Sequence, residues 1–334
     1  MIGQSAQAPS AVVTIRPHRF SPNPATTTDN AFQGTDPTRD EVSLASDAFR
    51  EATAVADVLR AHGVRVHMFE DETSDRPDAV FPNNWFSTHA GGRIALYPMY
   101  SPSRRTERRP DVVRHLVETY RVQEVVDYSP LELDGTFLEG TGAMVLDHVD
   151  RVAYAARSNR ANPDALHRFC SQFGYEPVVF DAADGAGQAI YHTNVLMCIA
   201  SDVALVGLDL ITDPARRALV EGRLRASGRR VVALDEQQVR DFAGNAIEVR
   251  GRRGRLLVMS RRAAASLSPT QRRTIEKSCP IVDVDVPTIE LAGGSVRCMI
   301  AGVHLAPREV GSRRSARAGA VHGDVGAPGS LASV

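Results

Sequence analysis

Four residues of different chemistry fall on one interval in this chain: Glu139, His192, Asn245 and Cys298 follow one another at steps of 53. One step before Glu139, the count lands two or three residues past the pair Asn83 and Asn84. Each of these five points opens a pair of strand-like runs: FPNNWFS…RIALYP, LEGTGAMVL…RVAYAA, YHTNVLMCIA…VALVGL, AGNAIEVR…RLLVMS and VRCMIAGVHL. An amphipathic stretch and one more strand-like run then follow, as in RIALYP, residues 105–120 and VQEVVDY. The chain therefore reads as five ββαβ units of about 53 residues between positions 12 and 307. Radial repetition about an axis brings equivalent positions of every unit toward that axis. Residues far apart in sequence then share one mouth.

The punctuation agrees with this frame. Strands are expected over 12–17, 64–69, 93–98, 122–128, 151–156, 195–200, 203–208, 230–234, 255–260 and 296–303, each bounded by Gly, Pro, Asp or Asn. Helices are expected over 41–62, 105–120, 163–173, 213–227 and 268–278. Asp213-Pro214 and Ser268-Pro269 have the form of an N-cap followed by a first-turn proline. Residues 1–10 are small and polar, and residues 308–334 are rich in Gly, Ala, Ser and Arg without apolar periodicity, so both ends are expected to be disordered. Residues 11–307 form the expected single catalytic domain.

Composition limits the function. With 43% apolar residues the chain can bury a large core, and a net charge of −1 lacks the basic surplus that nucleic-acid binding needs. No apolar run approaches the roughly 20 residues of a membrane span, and the N-terminus has no charged segment followed by an apolar one. A soluble cytoplasmic protein that acts on a small molecule is expected; assembly into a homo-oligomer stays open.

The four cysteines, Cys170, Cys198, Cys279 and Cys298, include no C-x-x-C pair and have no His at zinc-ligand spacing. No metal and no organic cofactor is expected. Most free cysteines are small buried hydrophobes, so a catalytic role must come from context. Cys298 has that context through the common interval. A thiol becomes a useful nucleophile beside a base. A His can take its proton and later pass it to a departing amine. A carboxylate fixes the His tautomer and favours its protonated form. Cys298, His192 and Glu139 are therefore a chemically complete set. Asn245, on the same interval but without a reactive group, reads as structural. Trp85 reads equally as a pocket wall or as core.

The motifs around these residues resemble the pentein, or guanidine-modifying, superfamily: arginine deiminases, dimethylarginine dimethylaminohydrolases and amidinotransferases. FLEGTG is similar to the segment whose Glu pairs with the catalytic His, YHTN to the H-x-D segment, and GGSVRCM to the C-terminal segment that bears the nucleophile. PDAVFPNNW, SPSRRTE and ARSNRAN resemble three further segments in the same order. The resemblance covers most of residues 12–307 and implies an α/β fold, a five-bladed α/β propeller. It also implies that Arg104 and Arg160 bind a substrate carboxylate. IRPHRFSPNPATTTDNAFQ and PNNWFS are similar to the citrulline-utilising hydrolase branch.

The departures from the pattern bear on substrate. Guanidino-processing relatives carry carboxylates where this chain has Asn84, Asn83 before it, and Asn194. An amide does not neutralise a guanidinium, but it can donate to a carbonyl oxygen and accept from an –NH₂ group. A neutral ureido head presents both, which makes citrulline the expected substrate and ornithine, CO₂ and ammonia the expected products. Asp78 and Asp134 are the nearby carboxylates that can serve a guanidino head instead. Arginine or methylarginine hydrolysis, amidino transfer and a non-catalytic binding propeller are the competing readings.

Overall fold

The computed structural model describes residues 7–308. Its strands form five separate three-stranded sheets. In the first, β1 (Ala11–Pro17) lies between β2 (Arg65–Asp71) and β15 (Ala301–Val303), so the two ends of the chain share a sheet. The others follow in order: β3 (Phe86–His89), β4 (Arg93–Leu96) and β5 (Glu124–Asp127); then β6 (Val145–Asp147), β7 (Val152–Ala156) and β8 (Glu176–Phe180). Next come β9 (Met197–Ile199), β10 (Val203–Val206) and β11 (Arg230–Ala233), and last β12 (Ile247–Gly251), β13 (Gly254–Ser260) and β14 (Ile281–Val284). Every sheet repeats one register: a short antiparallel pair followed by a parallel pair, as in Val145↔Tyr154 and then Tyr154↔Val178.

A parallel pair needs a crossover, and a helix supplies it in each unit: Glu41–Ala61, Pro110–Thr119, Pro163–Phe173, Pro214–Ala226 and Pro269–Glu276. Middle strands such as VAYAA and VALV are buried along their whole length, the pattern of a strand covered on both faces. Helix Pro163–Phe173 buries Leu166, Phe169, Cys170 and Phe173 on one face. The expected caps form. The Asp213 side chain accepts from the Ala215 amide, and Ser268 and Gln271 close a capping box.

Four expectations are corrected. Residues 7–10 are not disordered. The Gln7 amide donates to the carbonyls of Leu146 (3.0 Å) and Ile199 (2.8 Å), and Pro9 O accepts from Arg250 N, which ties β6, β9 and β12 together. Residues 1–6 and 309–334 lie outside the described residues. The helix expected over 105–120 is two pieces, a 3₁₀ turn Pro102–Glu107 and a helix opened by Pro110, because a proline cannot continue the preceding turn. The strand expected over 296–303 is only Ala301–Val303. The strand expected over 195–200 begins at Met197, because Thr193–Leu196 is a turn of helix. Trp85 packs on Phe86 in the core.

These last differences position the site. Asn84, Glu139, His192, Asn245 and Cys298 all sit in the short connecting segments just before the first strand of a sheet, β3, β6, β9, β12 and β15, with Glu139 and His192 immediately preceding a turn of helix. Those first strands neighbour one another, β15 beside β3, β6 beside β9 and β9 beside β12. The common interval thus becomes a common location.

Candidate active site

Cys298, His192, Asn84, Arg104, Arg160 and Asp78 line one narrow cavity of about 10 Å³, with Tyr191, Phe81, Thr26 and Asn30 closing it. That is room for about one water. A larger cavity of about 50 Å³, lined by Gln7, His148, Arg297 and His304 among others, includes none of Glu139, His192 and Cys298.

Glu139 is fully buried and is the hub. Its Oε2 accepts from His192 Nε2 at 2.9 Å and stands 3.3 Å from Arg104 Nη1 and 3.6 Å from Arg160 Nη1, while Oε1 accepts from the Tyr100 amide at 3.1 Å. Burial pushes this carboxyl up, but Arg160, the His192 hydrogen bond and Arg104 together hold it well below the usual carboxylate range. An ionised Glu139 requires Nε2 of His192 to carry the proton. Nδ1 is then the nitrogen left for chemistry. Burial brings His192 down to about 4 against the pull of Glu139, so its imidazole is neutral at rest.

Two glycines of FLEGTG make this approach possible. Gly140 has φ +47, and a Cβ there would meet Asn83 O at 2.5 Å. A Cβ on Gly142 would collide with the Asn84 amide and lie 2.9 Å from His192 Nδ1.

Both arginines are already paired. Arg104 makes a two-pronged bond to Glu107 (2.8 and 2.9 Å) and lies 3.4 Å from Asp78. Arg160 grips Asp29 through Nε (3.0 Å) and Nη2 (2.6 Å) and stacks on the Tyr191 ring. Asp78 also accepts from the Asn23 amide at 2.7 Å. The Asn84 amide turns its oxygen to Arg104, 3.0 Å away, and its nitrogen to Asn83 Oδ1 at 3.2 Å. Asn83 is fully buried behind Asn84 and does not reach the cavity.

Cys298 is set in a different environment. Its sulfur accepts from Asn194 Nδ2 at 3.3 Å and from Asn245 Nδ2 at 3.2 Å, two neutral amides. Gly294 stands close enough that a Cβ there would lie 3.2 Å from that of Cys298. Burial pushes the other three thiols, Cys170, Cys198 and Cys279, up to about 12, which leaves them protonated at neutral pH. Among the described residues no group of three or more His, Cys, Asp and Glu is arranged to hold a metal ion, and no helix is long and apolar enough to cross a membrane.

The family described as N,N dimethylarginine dimethylhydrolase, eukaryotic, matches residues 16–305 of this sequence. The chain belongs to this family. It is thereby a member of the pentein superfamily of guanidine-modifying enzymes. Solved structures agree on the fold. The N-terminal domain of ArgZ bound to substrate, an arginine dihydrolase from the ornithine-ammonia cycle in cyanobacteria, superposes with a TM-score of 0.70 at 18% identity, over 89% of this chain and 98% of that one. Unliganded AgrE gives 0.69 at 18% identity over 90% of this chain and 40% of its own. A dimethylarginine dimethylaminohydrolase adduct with 4-chloro-2-hydroxymethylpyridine gives 0.60 at 13% identity, over 87% and 98%. No curated protein sequence matches the chain.

In this dimethylhydrolase-family chain the residues singled out from sequence lie around one cavity, but some of their partners were not singled out. Asn245 touches the sulfur, and its position on the interval was the available signal. Asp29 lies in the opening stretch noted for its resemblance, which carries no periodicity to single it out. Glu107 closes the SPSRRTE motif and was passed over there.

Proposed function

We propose that this protein is a cysteine hydrolase that cleaves a C–N bond of a ureido or guanidino amino acid, with the ureido head of citrulline preferred. The observation that carries the preference is the company of Cys298: two neutral amides at the sulfur, where a cationic head would meet no charge. Asp78 is engaged by Asn23 and Arg104, and Glu139 by His192 and two arginines. A guanidinium entering here finds one carboxylate in the lining, Asp78, already hydrogen-bonded by Asn23 and beside Arg104, whereas a neutral ureido group needs no counter-charge.

In this reading His192 Nδ1 takes the thiol proton as Sγ adds to the ureido carbon. The imidazolium, steadied by Glu139, then protonates the departing amine. The C–N bond breaks, ornithine leaves and Cys298 keeps a carbamoyl group. Water attacks that group, His192 takes the water's proton, and the C–S bond breaks to return the thiol and carbamate, which decays to CO₂ and ammonia. Asn84, facing the cavity, meets the ureido group. Arg160 takes the substrate carboxylate in place of Asp29, and Arg104 holds Glu139 and Asn84 in position. The five sheets are read as the blades of a five-bladed propeller spanning residues 11–307, an arrangement supported by the neighbouring first strands and the shared end sheet.

Asp78 supports a second reading, a guanidino substrate, because it is the one carboxylate in the cavity lining among the described residues. Purified protein given citrulline, arginine or methylarginine separates the two. Ornithine from citrulline supports the first. Citrulline, ornithine or methylamine from the guanidino substrates, with citrulline left intact as substrate, sinks it.

A further inference from the structure

Asn245 was read from sequence as structural, and its geometry says more. Its side chain is fully buried and uses every hydrogen-bonding position it has. Oδ1 accepts from the backbone amides of Arg297 (3.0 Å) and Cys298 (3.4 Å). Nδ2 donates to Asn194 O (3.0 Å) and to Cys298 Sγ (3.2 Å). The two backbone donors fix which end of the amide is oxygen, so the nitrogen has to face the sulfur. Asn245 and Asn194 thus each bring an N–H to one sulfur in a narrow buried site, while Asn194 Oδ1 lies 3.7 Å away and can take the proton of the neutral thiol. Once that proton has left, the two N–H donors remain, and Asn245 is the one whose orientation is fixed.

We propose that Asn245, with Asn194, is a catalytic thiolate holder: its amide stabilises negative charge on Cys298 Sγ while the proton sits on His192. This deepens the proposed function and rests on Cys298 being the nucleophile. The need follows from the substrate. A cationic guanidinium helps to ionise a thiol beneath it, and a neutral ureido group does not.

The other groups facing the sulfur do not replace these donors. His192 is neutral at rest. Tyr191 is a neutral phenol that donates to Gly293 O. Arg104 and Arg160 are paired with carboxylates, and Asp78 is paired with Arg104. The Arg297 guanidinium feels the Cys298 charge, but it donates to Ile300 O and lines the other cavity, so it gives the sulfur no hydrogen bond.

The test follows alkylation of Cys298 by iodoacetamide in the substrate-free full chain, read on the Cys298 peptide by mass spectrometry as a function of pH. In Asn245→Ala, neutral-pH alkylation is expected to slow roughly 10- to 100-fold, and kcat to fall by a similar factor. The alkylation profile moves to higher pH. KM stays close to the original, because Asn245 does not line the cavity. Asn245→Ser, which keeps a small donor, should fall between. A folded variant with lower kcat but an unmoved alkylation profile makes Asn245 merely structural and overturns the proposal. If Cys298→Ala keeps its turnover, the proposed function fails on its own, separately from these profiles.

Discussion

Two halves of one buried site solve opposite electrostatic problems. On the Glu139 side, two arginines and four carboxylates (Glu139, Glu107, Asp78 and Asp29) interlock within hydrogen-bonding reach of one another. On the Cys298 side, the side-chain hydrogen bonds of the sulfur among the described residues run to two amides, Asn194 and Asn245. The charged half is built on ion pairs around Glu139, with burial pushing Glu107 up to about 7 against the pull of Arg104. Each ion is held by another, and breaking such a buried pair costs about 3–5 kcal/mol. The neutral half has to accept the charge that forms whenever Cys298 gives up its proton, and dipoles fixed in advance do so without reorganising. His192 stands at the boundary, with Nε2 on Glu139 and the residue in the cavity lining. The network fixes the base, and the amides receive the charge that the base creates.

The most severe way to break this division is on the neutral side. Cys298→Ala is expected to lower kcat by roughly 10⁴-fold or more, while Cys198→Ala, a thiol that burial keeps protonated, leaves kcat within a few-fold. Comparable rates for the two would contradict the account. On the charged side, Glu139→Gln keeps the shape but removes the charge that Arg104 and Arg160 share. About 3–5 kcal/mol of stability should be lost in urea unfolding, together with roughly 10²-fold or more in kcat. A mild effect on both would mean that the network is not the frame of the base.

The pH dependence sharpens the boundary. Neutral His192 is the proton acceptor, and burial holds it at about 4, so the acid limb of kcat/KM should lie near about 4 rather than near the usual 6.5. The stability linkage has the same sign. The folded value lies below the unfolded one, so the contribution is complete above about 6.5 and is lost as pH falls toward about 4. An acid limb at 6.5 or higher would place the base elsewhere. The smallest expected effect concerns Asp29. Asp29→Asn weakens its hold on Arg160 and should lower KM a few-fold, about 1 kcal/mol or less. A marked rise in KM would instead make Asp29 a support for Arg160 rather than its competitor.

The same two halves differ in how far the sequence revealed them. Glu139, His192 and Cys298 were legible because a repeating unit puts equivalent positions together, and because each carries a group with recognisable chemistry. The strand and helix order was legible from periodicity and from proline N-caps. Asn245 shared the interval, but an amide has no reactivity to announce; only its distance to the sulfur reveals a role. Asp29 and Glu107 matter through long-range pairing with arginines, which local pattern does not encode. Cys298 itself sits in a turn and not in the expected strand, because the apolar run around it is buried by tertiary packing and not by strand pairing. Likewise Gln7 to Ser10 looked like a polar terminus, yet their hydrogen bonds lie with strands far along the chain.

The central claim is that Cys298 carries the reacting carbon, and acid quenching during turnover of citrulline tests it directly. Peptide mass spectrometry should then find a carbamoyl group on the peptide containing Cys298 and none on those containing Cys170, Cys198 or Cys279. Turnover that leaves Cys298 unmodified, or a carbamoyl group on one of the other three thiols, would contradict the account.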